Sequence, residues 1–162
     1  MGKKLSFRVR NNMAKINAEL IKKLRGETGA GVMRVKNVLE KVKGDEKKAQ
    51  DILRKEGFEK VAKREGRETG QGKVFSYVHH NGKIVSVVEL FSETDFVARN
   101  ELFEQLGKDL ALQVASMGDK DVEKQEFIKD SSKTIIDLIK EVIAKTGENI
   151  KLGRIVRIEL GK

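Results

Sequence analysis

Two glycine-rich stretches, a histidine pair and one acidic–aromatic corner are where residue type and spacing raise the question of chemistry. A phosphate-binding loop rings an anion with backbone N–H groups of spaced glycines, then supplies a Lys and a Ser or Thr for magnesium. Gly26, Gly29 and Gly31 run in the wrong order for a dinucleotide fingerprint, and no strand precedes them. Gly70-Gln71-Gly72-Lys73 comes closer, but Arg67 stands where the leading glycine belongs and Val74 where the hydroxyl must be. The chain therefore holds no nucleotide itself, and these glycines are expected to turn tightly between helices. His79 and His80 look like metal ligands, but as strand neighbours they face opposite ways, and no third ligand cluster accompanies them. The absence of cysteine removes disulfides, thiol nucleophiles and thiolate metal sites. No nucleophile elbow, carboxylate frame or metal-ligand spacing appears, so the expectation is a binding module, not an enzyme, with no cofactor and no metal.

The remaining candidate runs from Phe91 to Asn100, joining an apolar strand to an amphipathic helix. Thr94, Asp95 and Asn100 are helix-capping types, which predicts a tight strand-to-helix corner with Phe96 at its tip. Two readings of Phe96 are open. It can be a hydrophobic staple folding back on its own helix. It can instead be a rigidly mounted aromatic, with a carboxylate beside it, meant for another molecule.

The elements that must position this corner follow from periodicity. Asn17 can cap a first helix with Leu20, Ile21 and Leu24 on one face, and a glycine break over residues 26–31 follows. Val35, Val38, Leu39 and Val42 mark a second helix. Gly44 ends it, Asp45 caps a third with Ala49, Ile52 and Leu53 inward, and Gly57 lies just past its end. Residues 17–57 thus form a three-helix docking module after a flexible basic arm, 1–16. Residues 58–72 form a basic linker, for which an RNA-binding arm is the alternative, though Phe58 is the one aromatic among its charges. The core domain, 73–162, opens with strands Val74–His79 and Lys83–Leu90 around Asn81-Gly82, a strong hairpin signal. A five-turn helix carries Phe103, Leu106, Leu110, Val114 and Met117 inward and stops at Gly118. Residues 121–129 form a short helix or loop. Another helix, capped by Ser131 or Ser132, carries Ile135, Ile136, Ile139, Val142 and Ile143 inward and ends at Gly147. The last strand, Ile150–Leu160, has Val156, Ile158 and Leu160 on one face and Arg157 and Glu159 on the other. The order ββααβ gives an α+β fold, a small antiparallel sheet with helices on one side, its other face solvated or paired with a second copy.

A formal net charge of +9 favours an acidic partner, a protein face or a nucleic acid. No apolar run approaches the roughly 18 residues of a membrane span, so no membrane association is expected. Residues 1–12 carry Lys3, Lys4, Arg8 and Arg10 without the apolar stretch of a secretory signal. They suit an organelle-targeting remnant, an upstream start or a cloning remnant, with Met13 as a possible natural initiator. A cytoplasmic location is expected, with an organelle matrix as the alternative.

Leu24-Arg25-Gly26-Glu27-Thr28-Gly29-Ala30-Gly31-Val32-Met33, followed by Lys36, Leu39 and Gly44-Asp45, resembles the N-terminal signature of the elongation factor Ts family. Glu93-Thr94-Asp95-Phe96-Val97-Ala98-Arg99-Asn100 resembles its second signature. Ala62-Lys63-Arg64 with Gly66-Arg67, and Gly147-Glu148-Asn149-Ile150, fit the same family in the same order, so the resemblance runs from about Met13 to the C-terminus. It implies a guanine nucleotide exchange factor for the GTPase elongation factor Tu, with a ubiquitin-associated-like helical module docking on the GTPase domain. By position it implies that Asp95 and Phe96, with Val97 and Ala98, disturb the partner's magnesium site. Arg25, Val32, Met33, Arg64 and Thr94 would make partner contacts. Val32 stands where the family usually has Met, Arg34 where an acid is common, and Phe91-Ser92 replaces a usual polar pair. The chain lacks the second core half of longer members, and this resemblance to the short form implies a homodimer, with no direct nucleic acid required.

Overall fold

The computed structural model describes residues 16–162, so the expectations for the basic arm through residue 15, Met13 included, lie outside the described residues. Two compact units divide between Leu53 and Arg54, each with its own buried cluster.

The first unit is helical. Helix α1 is Ala18–Thr28, and Asn17 caps it as expected, its side chain accepting the Leu20 N–H at 2.8 Å. The expected glycine break is narrower than residues 26–31. Gly26 lies inside α1, and Gly29 alone takes the left-handed turn, at φ 69°. Gly31 opens α2, Val32–Lys41, and Asp45 caps α3, Glu46–Ala62, by accepting the Lys48 N–H at 3.0 Å. Leu24, Val35, Val38, Leu39, Ala49 and Leu53 close the core, with Ile16 packed against it. Gly57 does not end α3. The helix runs on to Ala62, and a Cβ at Gly57 would make only an ordinary van der Waals contact, 3.6 Å from the Ala144 Cβ. Beyond it Val61 is buried in the second unit's core.

That second unit is built on an antiparallel sheet of β1 Gln71–Val78, β2 Ile84–Ser92 and β5 Ile150–Glu159, with β2 central. Gly82, at φ 68°, turns the first hairpin. The premise that His79 and His80 face opposite ways fails here. His79 lies past the end of β1, so strand alternation no longer applies, and the His79 and His80 rings come within 4.2 Å. After β2 come a one-turn helix α4, Asp95–Ala98, and helix α5, Glu101–Met117. Phe103, Leu106, Leu110 and Val114 of α5 are buried as their spacing requires, whereas Met117 in the final turn is 56% exposed.

Residues 121–129 hold a 3-10 turn, Val122–Lys124, and strand β3, Glu126–Phe127, which pairs with β4, Asp130–Thr134. The cap of helix α6, Ile135–Thr146, is therefore neither Ser131 nor Ser132, which lie in β4. Asp130 takes the Ser132 N–H and O–H at 3.1 and 2.6 Å, while Thr134 and Asp137 form a reciprocal capping box. Burial alone would raise the Asp137 carboxyl, but the Thr134 hydroxyl and N–H hold it below the usual carboxylate range.

Helices cover one face of the sheet, where Val88 and Leu90 are buried and the Ser86 hydroxyl donates to the Ala111 carbonyl at 2.6 Å. The last strand turns its apolar side the other way. Val156, Ile158 and Leu160 are 49%, 63% and 74% exposed, while Arg157 on the covered side donates to the Ala115 carbonyl at 3.1 Å. Glu89, hydrogen-bonded by Arg154 across β2 and β5, is held below the usual carboxylate range. The architecture is α+β, with a second two-stranded sheet that ββααβ did not include.

Candidate functional site

Thr94 is the extended residue on which the corner turns, at φ −125° and ψ 160°. Its hydroxyl accepts the Val97 N–H at 3.4 Å and starts α4. Four helical residues and Arg99 bring the chain to Asn100, whose side chain accepts the Leu102 N–H at 2.9 Å to open α5. One turn of helix thus has four side chains pointing in different directions. Val97 and Ala98, 9% and 4% exposed, belong to the hydrophobic core. Phe96 points the other way and is 77% exposed, the most exposed large hydrophobic side chain among the described residues. The staple reading fails for it: Phe96 does not pack against the core cluster.

Asp95 sits beside it with its carboxylate in solvent, bonded at 2.6 Å to Arg99 four residues on. The Arg99 guanidinium also lies 5.7 Å from the Phe96 ring centroid. The tip therefore presents an aromatic ring, a carboxylate and a guanidinium side by side. All three are open to a neighbouring molecule, and the surface ion pair within the group is weak enough to break.

The corner is held from the turn between α6 and β5. Glu148 accepts the Thr94 N–H on one oxygen at 3.0 Å and the Thr94 hydroxyl on the other at 2.7 Å. Glu93 accepts the Asn149 N–H at 2.6 Å, and the Ser92 hydroxyl donates to the Thr94 carbonyl at 2.8 Å. The buried Asn149 side chain donates to the carbonyls of Glu65 and Arg67, at 3.2 and 2.9 Å. Arg64, just before that segment, is half-buried and donates to the Ile143 carbonyl at 3.3 Å. Glu148 and Asn149 carried no role in the sequence reading beyond their match to a family pattern. Two polar residues between a helix-ending glycine and a strand were the available signal.

The other expected contact residues lie in the first unit. Arg25 is exposed near the end of α1, and Val32 and Met33 are 46% and 66% exposed on the first turn of α2. Gly31 caps that turn without a side chain. Among the described residues no group of three or more His, Asp or Glu side chains could hold a metal, and no helix is long and apolar enough to cross a membrane.

Residues 93–162 match the profile of a family described as Elongation factor TS. The elongation factor Ts of Leptospira biflexa serovar Patoc is 42% identical over 194 aligned positions, covering 90% of this chain and 98% of that protein. The elongation factor Ts of Fervidobacterium nodosum is 38% identical, covering 91% of this chain and 99% of the relative. That of Oleidesulfovibrio alaskensis is 39% identical, covering 92% and 100%. Each alignment is longer than the 162 residues of this chain, so these relatives contain stretches with no counterpart in it.

Proposed function

Because the chain belongs to the elongation factor Ts family, we propose that it promotes GDP release from the GTPase elongation factor Tu during translation. No covalent chemistry is asked of it. An exchange factor binds the nucleotide-free partner more tightly than the GDP-bound form, and by linkage each ligand weakens the other by the same factor. The helical module, with Arg25, Val32 and Met33 exposed, docks on the GTPase domain. The corner in the second unit then works beside the partner's magnesium and switch region.

The observation that carries this reading is the 77% exposure of Phe96 on a turn whose other apolar residues are buried. Burying one Phe side chain contributes roughly 1.5–3 kcal/mol. If the ring lodges in the partner only when nucleotide is leaving, that contact alone loosens GDP by roughly 10- to 100-fold. Magnesium holds phosphate oxygens in such GTPases, so a carboxylate brought beside it at Asp95 competes within that shell. Val97 and Ala98 serve as the anchor of the turn, Thr94 caps it, and Arg64 adds a docking contact from the segment just before Glu65.

We infer also that two copies associate through the open apolar face of the sheet, and that the protein works where elongation factor Tu does, in the cytoplasm or an organelle matrix. The direct test of exchange is stopped-flow release of a fluorescent GDP analogue from elongation factor Tu. The full chain should accelerate release, and Phe96→Ala should remove at least about 10-fold of that acceleration. An unchanged rate for Phe96→Ala ends the wedge mechanism.

A further inference from the structure

A helix of four residues does not hold itself, because nucleating one turn fixes several dihedrals for a single hydrogen bond. Phe96 adds nothing to the hold, since its ring is in solvent, and the capping bond from Val97 to Thr94 is long at 3.4 Å. Burial of Val97 and Ala98 anchors the turn to the core, and the polar contacts that add a direction to it come from 54 residues further along the chain.

The β2–β5 ladder ends with Ser92 opposite Ile150. Continued one and two steps, the same antiparallel register sets Glu93 opposite Asn149 and Thr94 opposite Glu148. There side chains take over from the backbone: Glu93 accepts the Asn149 N–H, and Glu148 takes both the N–H and the hydroxyl of Thr94. Asn149 extends the same hold to the segment after Arg64 through the carbonyls of Glu65 and Arg67. Two consecutive residues thus tie down the exchange corner and the backbone beside a second expected contact residue. Thr94 is only half-buried, so water can replace Glu148 as a hydrogen-bond partner at modest cost. What water cannot replace is the direction that a bidentate carboxylate imposes on the turn.

We propose that Glu148 is a positioning residue for nucleotide exchange: acting through Thr94, it fixes the pose from which Phe96 meets the partner. The inference rests on the exchange reading above and deepens it.

The test compares Glu148→Ala and Glu148→Gln in the full chain. An amide can accept the Thr94 N–H on its oxygen and donate its own N–H to the Thr94 hydroxyl oxygen, so Gln keeps both contacts without the charge. In Glu148→Ala, amide hydrogen exchange at Val97, Ala98 and Arg99 should quicken by about 10-fold or more, with Val85–Leu90 protected as in the parent chain. The saturating rate of GDP release should fall about 10-fold, with half-saturation moving less than about 3-fold, because the pose is lost and the docking surface is not. Glu148→Gln should recover most of both losses.

Unchanged exchange at those corner amides in Glu148→Ala overturns the proposal. So does an equal loss of rate in Glu148→Gln, or loss of protection throughout the sheet. Should the parent chain itself fail to release GDP, the exchange reading falls, while the corner amides still decide whether Glu148 is the clamp.

Discussion

Phe96 and Val97 are consecutive on one helical turn, yet one is 77% and the other 9% exposed. A side chain already in solvent loses little when truncated, so Phe96→Ala should change folding stability by less than about 0.5 kcal/mol. Val97→Ala removes two buried methyl groups and leaves a gap the core only partly closes, at a cost of about 1.5–3 kcal/mol. Chemical denaturation of the two variants checks this directly. A Phe96→Ala variant as damaged as Val97→Ala would mean that residue 96 serves the fold. The contrast also bears on what spacing reveals. Capping types at Thr94, Asp95 and Asn100 locate the corner, but a one-turn helix is too short for periodicity to assign its residues to faces. Packing decides that, and the resemblance to a family pattern could name the four residues without separating anchor from tip.

At the scale of elements, helix α5 offers a case where two effects of known size compete. Glycine inside a helix normally costs about 1 kcal/mol relative to alanine, so Gly107→Ala would stabilise an isolated helix. Here a Cβ would fall within the Phe75 ring of β1, and the ring has to move. Overpacking of that kind costs typically about 1–3 kcal/mol, enough to outweigh the gain. The expected outcome is a net loss of stability, read from the denaturant midpoint, and a more stable Gly107→Ala would show that Phe75 can yield. The same element explains what could be read from sequence. Long helices with several buried positions, such as α5 and α6, declare their inner faces through repeated spacing. Gly57 looks like a stop because a glycine that ends a helix and one that a packed helix simply runs through are the same letter. The β3–β4 ladder escaped because two residues of β3 make no alternating pattern. The Glu148 clamp was hidden for a different reason: its contacts join positions more than fifty residues apart, and pairing register, not local composition, brings them together.

For the whole molecule, the open side of the three-stranded sheet is the feature that most needs an explanation. Val78, Val85 and Ile158 form one row across the three strands, and Val87 and Val156 continue the apolar face in the next. Val74, Val78, Val156, Ile158 and Leu160 are between 49% and 74% exposed. Contiguous apolar surface of this kind marks an interaction face more often than a solvated one. A second copy is a fitting cover, because two sheets can pack face to face with their side chains interdigitated. Under two-fold symmetry each substitution is felt twice, so placing a charge at Ile158 removes two buried side chains and adds two desolvated ammonium groups. Ile158→Lys should therefore weaken self-association by about 100-fold or more, counting only the lost burial of roughly 1.5 kcal/mol per chain. It should leave the monomer folded, since that side chain is 63% exposed. Sedimentation equilibrium of the two proteins separates the cases. A parent chain that is monomeric at high concentration removes the second copy as the cover of this face. A dimer that survives Ile158→Lys places the contact elsewhere on the chain.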